Sequence, residues 1–160
     1  MTPELLREIL HYCPDSGEFT WLVDIKRVNA GDKAGCVRSG GYICIQYNGK
    51  VYRAHRLAYL YMTGEWPKEL LDHANNIKTD NRWCNLRPAT RSENNRNCKV
   101  YKNNKSGLKG VRSAKDGKFD ARIAVNKKQR HLGRFNTAQE AHEAYCEAAN
   151  RLHGDFARHG

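Results

Sequence analysis

The feature that most limits what this chain can fold into is the run Leu71 to Asn95, "LDHANNIKTDNRWCNLRPATRSENN". Seven asparagines fall between positions 75 and 97, and an Asp-His pair stands just ahead of them at Asp72 and His73. Asparagine side chains compete for backbone hydrogen bonds, so neither a long helix nor a long strand runs easily through such a segment. Two short pieces are left, "LLDHAN" (70–75) and "CNLRPAT" (84–90), joined by a polar loop. Thr90 and Glu93 then have the T-x-x-E spacing of a capping box, which predicts a helix starting there. The predicted order is strand, loop, strand, helix, with Asp72 and His73 on the first strand and Asn94 in the first turns of the helix.

The flanking sequence supplies the apolar material this segment lacks. "MTPELLREILHY" reads as a short amphipathic helix with Thr2 as N-cap and Pro3 at the first helical position. "DSGEFTWL" and "GYICIQYNGKVYRA" read as strands with turns, Asn48-Gly49 being a strong two-residue hairpin signal. "HRLAYLYMTG" has apolar residues at 57, 58, 60, 61 and 62, so it predicts a buried helix ended by Gly64.

Beyond residue 98 the character changes. The stretch 99–106 is polar and aperiodic and is expected to be a linker. "KGVRSA", "KFDARIAV" and "KQRHLGRF" predict a three-stranded antiparallel meander, with turns at Lys115–Gly117 and Asn126–Lys128. Thr137 and Glu140 form a second capping box, and Ala141, Tyr145, Ala148 and Leu152 make one apolar stripe that stops at Gly154. A sheet covered on one face by one helix leaves its other face free.

Charge points to the kind of partner. The chain has 160 residues and a net charge of +11. Residues 102–134 carry 11 Lys/Arg against only Asp116 and Asp120, whereas 1–100 carry 15 against 11 acidic residues. So dense a basic block suits a polyanion, of which nucleic acid is the commonest. No run approaches the roughly 18 apolar residues needed to span a bilayer, and the N-terminus lacks the apolar core of a signal peptide. A cytoplasmic protein with no membrane partner is expected. Six scattered cysteines without a C-x-x-C pair suggest free thiols. A zinc site on Cys84 and Cys98 is the less favoured alternative, because closed zinc sites normally show paired ligands.

The Asp-His-Asn-Asn set has a chemistry of its own. A carboxylate oxygen from Asp72 and an amide oxygen from Asn94 are hard donors suited to Mg²⁺. The imidazole of His73 could take a proton from an attacking water, and Asn85 could brace the loop. Together they suit metal-assisted phosphodiester hydrolysis; a purely structural asparagine-rich turn is the alternative that composition leaves open. An EF-hand loop starting at Asp72 is excluded, since it would put Ile77 where Gly is needed and Trp83 where Glu is needed.

The segment "HRLAY…LDHANNIKTDNRWCNLRPATRSENNRN" resembles the HNH endonuclease family, in the subgroup found in phage homing endonucleases. The resemblance is close over about 40–98 and loose over 10–40. It implies a ββα-metal (His-Me finger) core at about 52–98, with His73 as general base, Asp72 and Asn94 as metal ligands and Asn85 as the residue ordering the loop. Asn95 is adjacent to Asn94, and the choice between the two stays open. One divalent cation per active site, Mg²⁺ or Mn²⁺, is implied, as is a phosphate contact by Arg56; His55 reads as structural.

Residues 107–157, with "GVR", "LG.F.T..EA..AY..AA" and "L.G..A", resemble the ethylene-response-factor DNA-binding domain of plant transcription factors. That family lays its sheet in the DNA major groove. Lys109 and Arg112 match basic or contact positions of that family, whereas Ala114, Asp116, Arg122, Ala124, Gln129 and His131 depart from it, so the plant target sequence is not implied. Lys118, Arg122, Lys128, Arg130 and Arg134 are further candidate DNA contacts.

The expectation is thus an α+β protein of two modules. Residues 1–98 are the nuclease, and 107–160 form a three-stranded antiparallel sheet packed on one helix. The chain would act as a monomer on double-stranded DNA and needs no protein partner. The rival is a non-catalytic DNA-binding regulator. RNA recognition is disfavoured because the basic sheet has few exposed aromatics for stacking bases.

Overall fold

Thr2 opens the first helix, α1 (Pro3–Ile9), by accepting the Leu5 N–H at 3.2 Å on its hydroxyl oxygen, with Pro3 just inside. The helix is shorter than the sequence pattern suggests. Leu10–Cys13 leaves it as a strand, β1, because it pairs antiparallel with β2 (Glu18–Trp21). Pairing with a partner outweighs the weak helical preference of a segment this short.

The computed structural model describes every residue except 27, 99, 101–103, 126–127 and 160. The chain divides into two units, Met1–Thr90 and Arg91–Gly160. The sequence reading drew the first module to 98; helix α3 (Arg91–Arg96) instead groups with the second unit. Part of the expected linker, residues 99 and 101–103, lies outside the described residues, as do 126 and 127 of the last hairpin turn.

In the first unit, β3 (Cys36–Val37), β4 (Ile43–Tyr47) and β5 (Lys50–Arg53) form a three-stranded sheet in the order β3-β4-β5. Asn48 and Gly49 both take positive φ, 46° and 75°, as a tight two-residue turn of this hand requires. Helix α2 (Ala54–Thr63) follows directly and ends at Gly64, whose φ is 78°. Strands β6 (Leu70–His73) and β7 (Leu86–Ala89) pair antiparallel, with His73 opposite Leu86 and Asp72 opposite Arg87. Leu6, Leu10, Phe19, Ile45, Leu57, Leu60 and Leu86 belong to one buried cluster that joins α1, the β1–β2 hairpin, α2 and β7. Burying a side chain such as Leu57 or Leu60 contributes about 1.5–3 kcal/mol. That cluster sets the base on which β7, and through it β6, is seated.

In the second unit, β8 (Val111–Ser113), β9 (Phe119–Val125) and β10 (Lys128–Phe135) make a sheet in the order β10-β9-β8. Helix α4 (Ala138–His153) opens with the reciprocal Thr137–Glu140 capping box and buries Ala141, Tyr145 and Ala148 against Val111, Ala121 and Ile123. Gly110 is required at the start of β8. Its φ is 78°, and a Cβ there would lie 2.1 Å from the Tyr145 ring. No helix among the described residues is long and apolar enough to cross a membrane.

Candidate active site

Strand β6 ends at the chemistry. Asp72 and His73 are both buried, at 6% and 5% exposure, although adjacent strand residues point to opposite faces. Each therefore has its own surroundings. The Asp72 carboxylate meets the Arg87 guanidinium across the strand pair, Nε and Nη2 donating to Oδ2 at 3.0 and 2.8 Å. Arg87 was not singled out from the sequence. The register could have revealed it, because a hairpin closed across the loop sets 72 opposite 87.

His73 lies among rings and amides. Its Nε2 is 3.1 Å from Asn81 Oδ1. The His55 ring stands edge-on to it at 5.1 Å between centroids, and Tyr42 lies 6.1 Å away. His55 is itself buried at 4% exposure, with no hydrogen-bond partner for Nδ1. Burial, with His73, Arg53 and Arg56 nearby, pushes its pKa down to about 3. It is a neutral packing residue that limits how the His73 ring can turn.

The loop between β6 and β7 is laced by amides. Asn85, at 6% exposure, accepts the Asn75 N–H at 3.0 Å and donates through Nδ2 to Asp80 O at 2.8 Å and Asn75 Oδ1 at 3.1 Å. Its backbone carbonyl receives Ala74 N–H at 2.9 Å. Asn75 donates in turn to Asp80 Oδ2 at 2.6 Å. Hydrogen bonds from Arg82 hold the Asp80 carboxyl down at about 2. Asn75 and Asn81 are thus more than polar filler: the first is part of the brace, and the second is 1% exposed and touches His73.

Two further charged groups gather on Tyr42, whose ring lies 6.1 Å from that of His73. Arg53 and Lys78 place their charges 4.7 and 4.9 Å from the Tyr42 ring centroid, and Lys78 Nζ donates to Gly40 O at 2.8 Å. Arg56, the sequence candidate, is 5.9 Å from the Trp66 ring and donates to Pro67 O at 3.3 Å. The sequence reading missed Arg53 and Lys78, since nothing local ties 42, 53 and 78 together.

Asn94 sits half-exposed on α3, where its backbone carbonyl accepts the Cys98 thiol at 3.5 Å; Asn95 is exposed beside it. A carboxylate and an amide oxygen are the hard donors a small divalent cation accepts, and the Asp72 carboxylate is fixed by the Arg87 guanidinium. Among the described residues no three His, Cys, Asp or Glu side chains come together as a metal-holding group, and all six cysteines are free thiols. That leaves no closed ligand set there for the zinc alternative.

The basic sheet of the second unit has two different sides. Arg112, Asp120 and Arg134 lie opposite one another across β8, β9 and β10, and His131 faces Arg122, all on the side away from α4. Asp120 organises this face, accepting from Arg134 Nε at 2.9 Å and Arg122 Nη2 at 3.2 Å. Arg130 and Lys128 pair with Ile123 and Val125, so they stand on the helix side at the exposed edge of β10. Lys118 is exposed in the turn before β9. Lys109 donates to Arg96 O at 2.6 Å and Cys98 O at 2.8 Å, which caps the end of α3, and burial lowers its pKa.

Residues 52–96, which hold the buried Asp-His pair, the amide-braced loop and the return strand, match the model of the HNH endonuclease family. Those residues are an HNH endonuclease domain. Over 115 residues the chain is 30% identical to the uncharacterized HNH endonuclease L560 of Acanthamoeba polyphaga mimivirus, covering 71% of this chain. The chain spans 59% of that curated relative's length. Among solved structures, the HNH homing endonuclease I-HmuI, described for DNA binding and cleavage, aligns over 91% of this chain and 85% of its own. The TM-score is 0.43 and the identity 19%, a likeness too distant to define fold or activity.

Proposed function

We propose that the chain is a metal-dependent, homing-type endonuclease that hydrolyses phosphodiester bonds in double-stranded DNA. The observation that carries this reading is the end of β6, where His73 is buried and lies within hydrogen-bond distance of Asn81, next to an Asp72 held by Arg87. His73 takes the proton from the attacking water. Asp72 and the Asn94 amide oxygen would hold the divalent cation, which supplies charge stabilisation at the scissile phosphate and leaving oxygen. Asn85 keeps the loop from β6 to β7 in shape.

Backbone phosphates on either side of the cut suit Arg53 and Lys78, which flank the Tyr42 ring next to His73. They take the role the sequence reading gave to Arg56. In the second unit, the face bearing Arg112, Arg122 and Arg134 meets DNA in the manner of the ethylene-response-factor domains, while Lys128, Arg130 and Lys118 reach flanking phosphates. Lys109 serves the fold of that unit instead of touching DNA.

A supercoiled-plasmid nicking assay with Mg²⁺ or Mn²⁺ tests the reading. Cleavage that disappears with chelator and with His73→Ala supports it. DNA binding without cleavage of any substrate would replace it with the regulator.

A further inference from the structure

Asn81 lies in the polar loop, yet it is among the most completely buried residues of the first unit. Three contacts from the β1–β2 hairpin lock the backbone of residues 81–83 in place. The Tyr12 hydroxyl donates to Asn81 O at 2.6 Å. Trp83 N–H donates to Pro14 O at 2.9 Å. Gly17 packs so closely that a Cβ on it would stand 2.4 Å from both Asn81 C and Arg82 N. Neither Tyr12 nor Gly17 belongs to the 52–96 segment that matches the HNH family.

The side chain so held has its oxygen 3.1 Å from His73 Nε2. An amide oxygen can only accept, so Nε2 carries the hydrogen and Nδ1 keeps the lone pair. His55 blocks the ring from turning away.

We propose that Asn81 is a positioning residue for His73: held by the β1–β2 hairpin, it selects the Nε2–H tautomer and so presents Nδ1 as the proton acceptor. The proposal rests on the reading of His73 as general base, and its test separates the two.

The experiment uses the full chain labelled with ¹⁵N-histidine, free of metal, at a mildly alkaline pH. Long-range ¹H–¹⁵N spectra report which His73 nitrogen is protonated, and nicking of a plasmid with Mg²⁺ reports turnover. Wild type should show the Nε2–H tautomer. Asn81→Ala should show a tautomer mixture and lose turnover by roughly 10- to 100-fold with KM nearly unchanged. Asn81→Asp, which keeps the acceptor, should restore the tautomer and part of the turnover. Tyr12→Phe removes only a hydroxyl, so it serves if Asn81→Ala does not fold. It should shift the same signals in the same direction and slow cleavage several-fold.

A wild-type His73 protonated on Nδ1, or a tautomer unmoved by both Asn81→Ala and Tyr12→Phe, overturns the proposal. If the tautomer responds as expected while no variant or wild type cuts DNA, the nuclease reading fails and the positioning of His73 by Asn81 stands.

Discussion

Arg87 and Asp72 face each other across β6 and β7, and two guanidinium N–H groups converge on one carboxylate oxygen at 2.8 and 3.0 Å. Both side chains are largely withdrawn from solvent, at 21% and 7% exposure. Removing one partner of such a pair strands the other charge. Arg87→Ala should therefore lower unfolding stability by about 3 kcal/mol, read by urea denaturation of the metal-free protein. Arg87→Lys should recover only part, because lysine offers no planar fork. Cleavage by Arg87→Ala should also demand more Mg²⁺ for half-maximal rate, since Asp72 is no longer oriented.

His73→Ala should abolish cleavage and leave DNA affinity within about twofold, because it removes a base and no phosphate contact. Binding measured by fluorescence anisotropy and nicking measured in parallel check this. Parallel loss of affinity and folded signal would make His73 structural.

Asn85 makes three side-chain hydrogen bonds inside the loop. Asn85→Ala leaves the Asn75 N–H and the Asp80 carbonyl without them, which costs about 1–3 kcal/mol. The expected phenotype is a lower melting temperature together with a fall in kcat, since the loop carries Asn81. Asn85→Asp should keep the accepting bond from Asn75 N–H and lose both donated ones, giving an intermediate melting temperature.

His55 makes stability depend on pH. Its folded pKa of about 3 lies below the ordinary histidine value of 6.5, so the unfolded chain binds the proton more readily. Its penalty is absent above about pH 6.5 and grows as pH falls from there toward 3. On the order of 2 kcal/mol should be lost between pH 6.5 and 5. Urea melts of wild type and His55→Gln across that window check it. The Gln variant should show the shallower slope; equal slopes would mean that His55 is protonated in the fold.

The two sides of the C-terminal sheet should behave differently toward DNA. Arg112→Ala, on the face away from α4, should reduce the slope of log affinity against log salt by about one. Lys128→Ala and Arg130→Ala, on the helix side of the edge strand, should each change it less. Truncation after Lys105 should weaken binding and flatten the salt dependence further, measured on a duplex by anisotropy between low and physiological salt.

Much of this protein was legible in its residues because the signals were local. The Asn48-Gly49 turn, the Gly64 end of α2, the Thr137–Glu140 box and the buried stripe of α4 each depend on neighbours within a few positions, and all stand as read. Asp72, His73 and Asn85 were singled out in the same way, by residue type and spacing, and all three are buried. Helix α1 was read too long for the complementary reason: Leu10 to Cys13 become a strand only through Phe19 and its neighbours on β2.

What only the tertiary structure decided was which polar groups carry work beyond their local turn. Asn81 looks like any loop asparagine until Tyr12 and Gly17, more than sixty positions away, close over its backbone and turn its amide toward His73. Arg53 and Lys78 become neighbours only by sharing Tyr42, and Lys109 is withdrawn from the basic face by the carbonyls at the end of α3. Sequence determined the elements and the chemical types at the site, because backbone propensity and capping act over single turns. The assignment of each charge and amide to a partner came from long-range packing, which brings together groups that no local pattern connects.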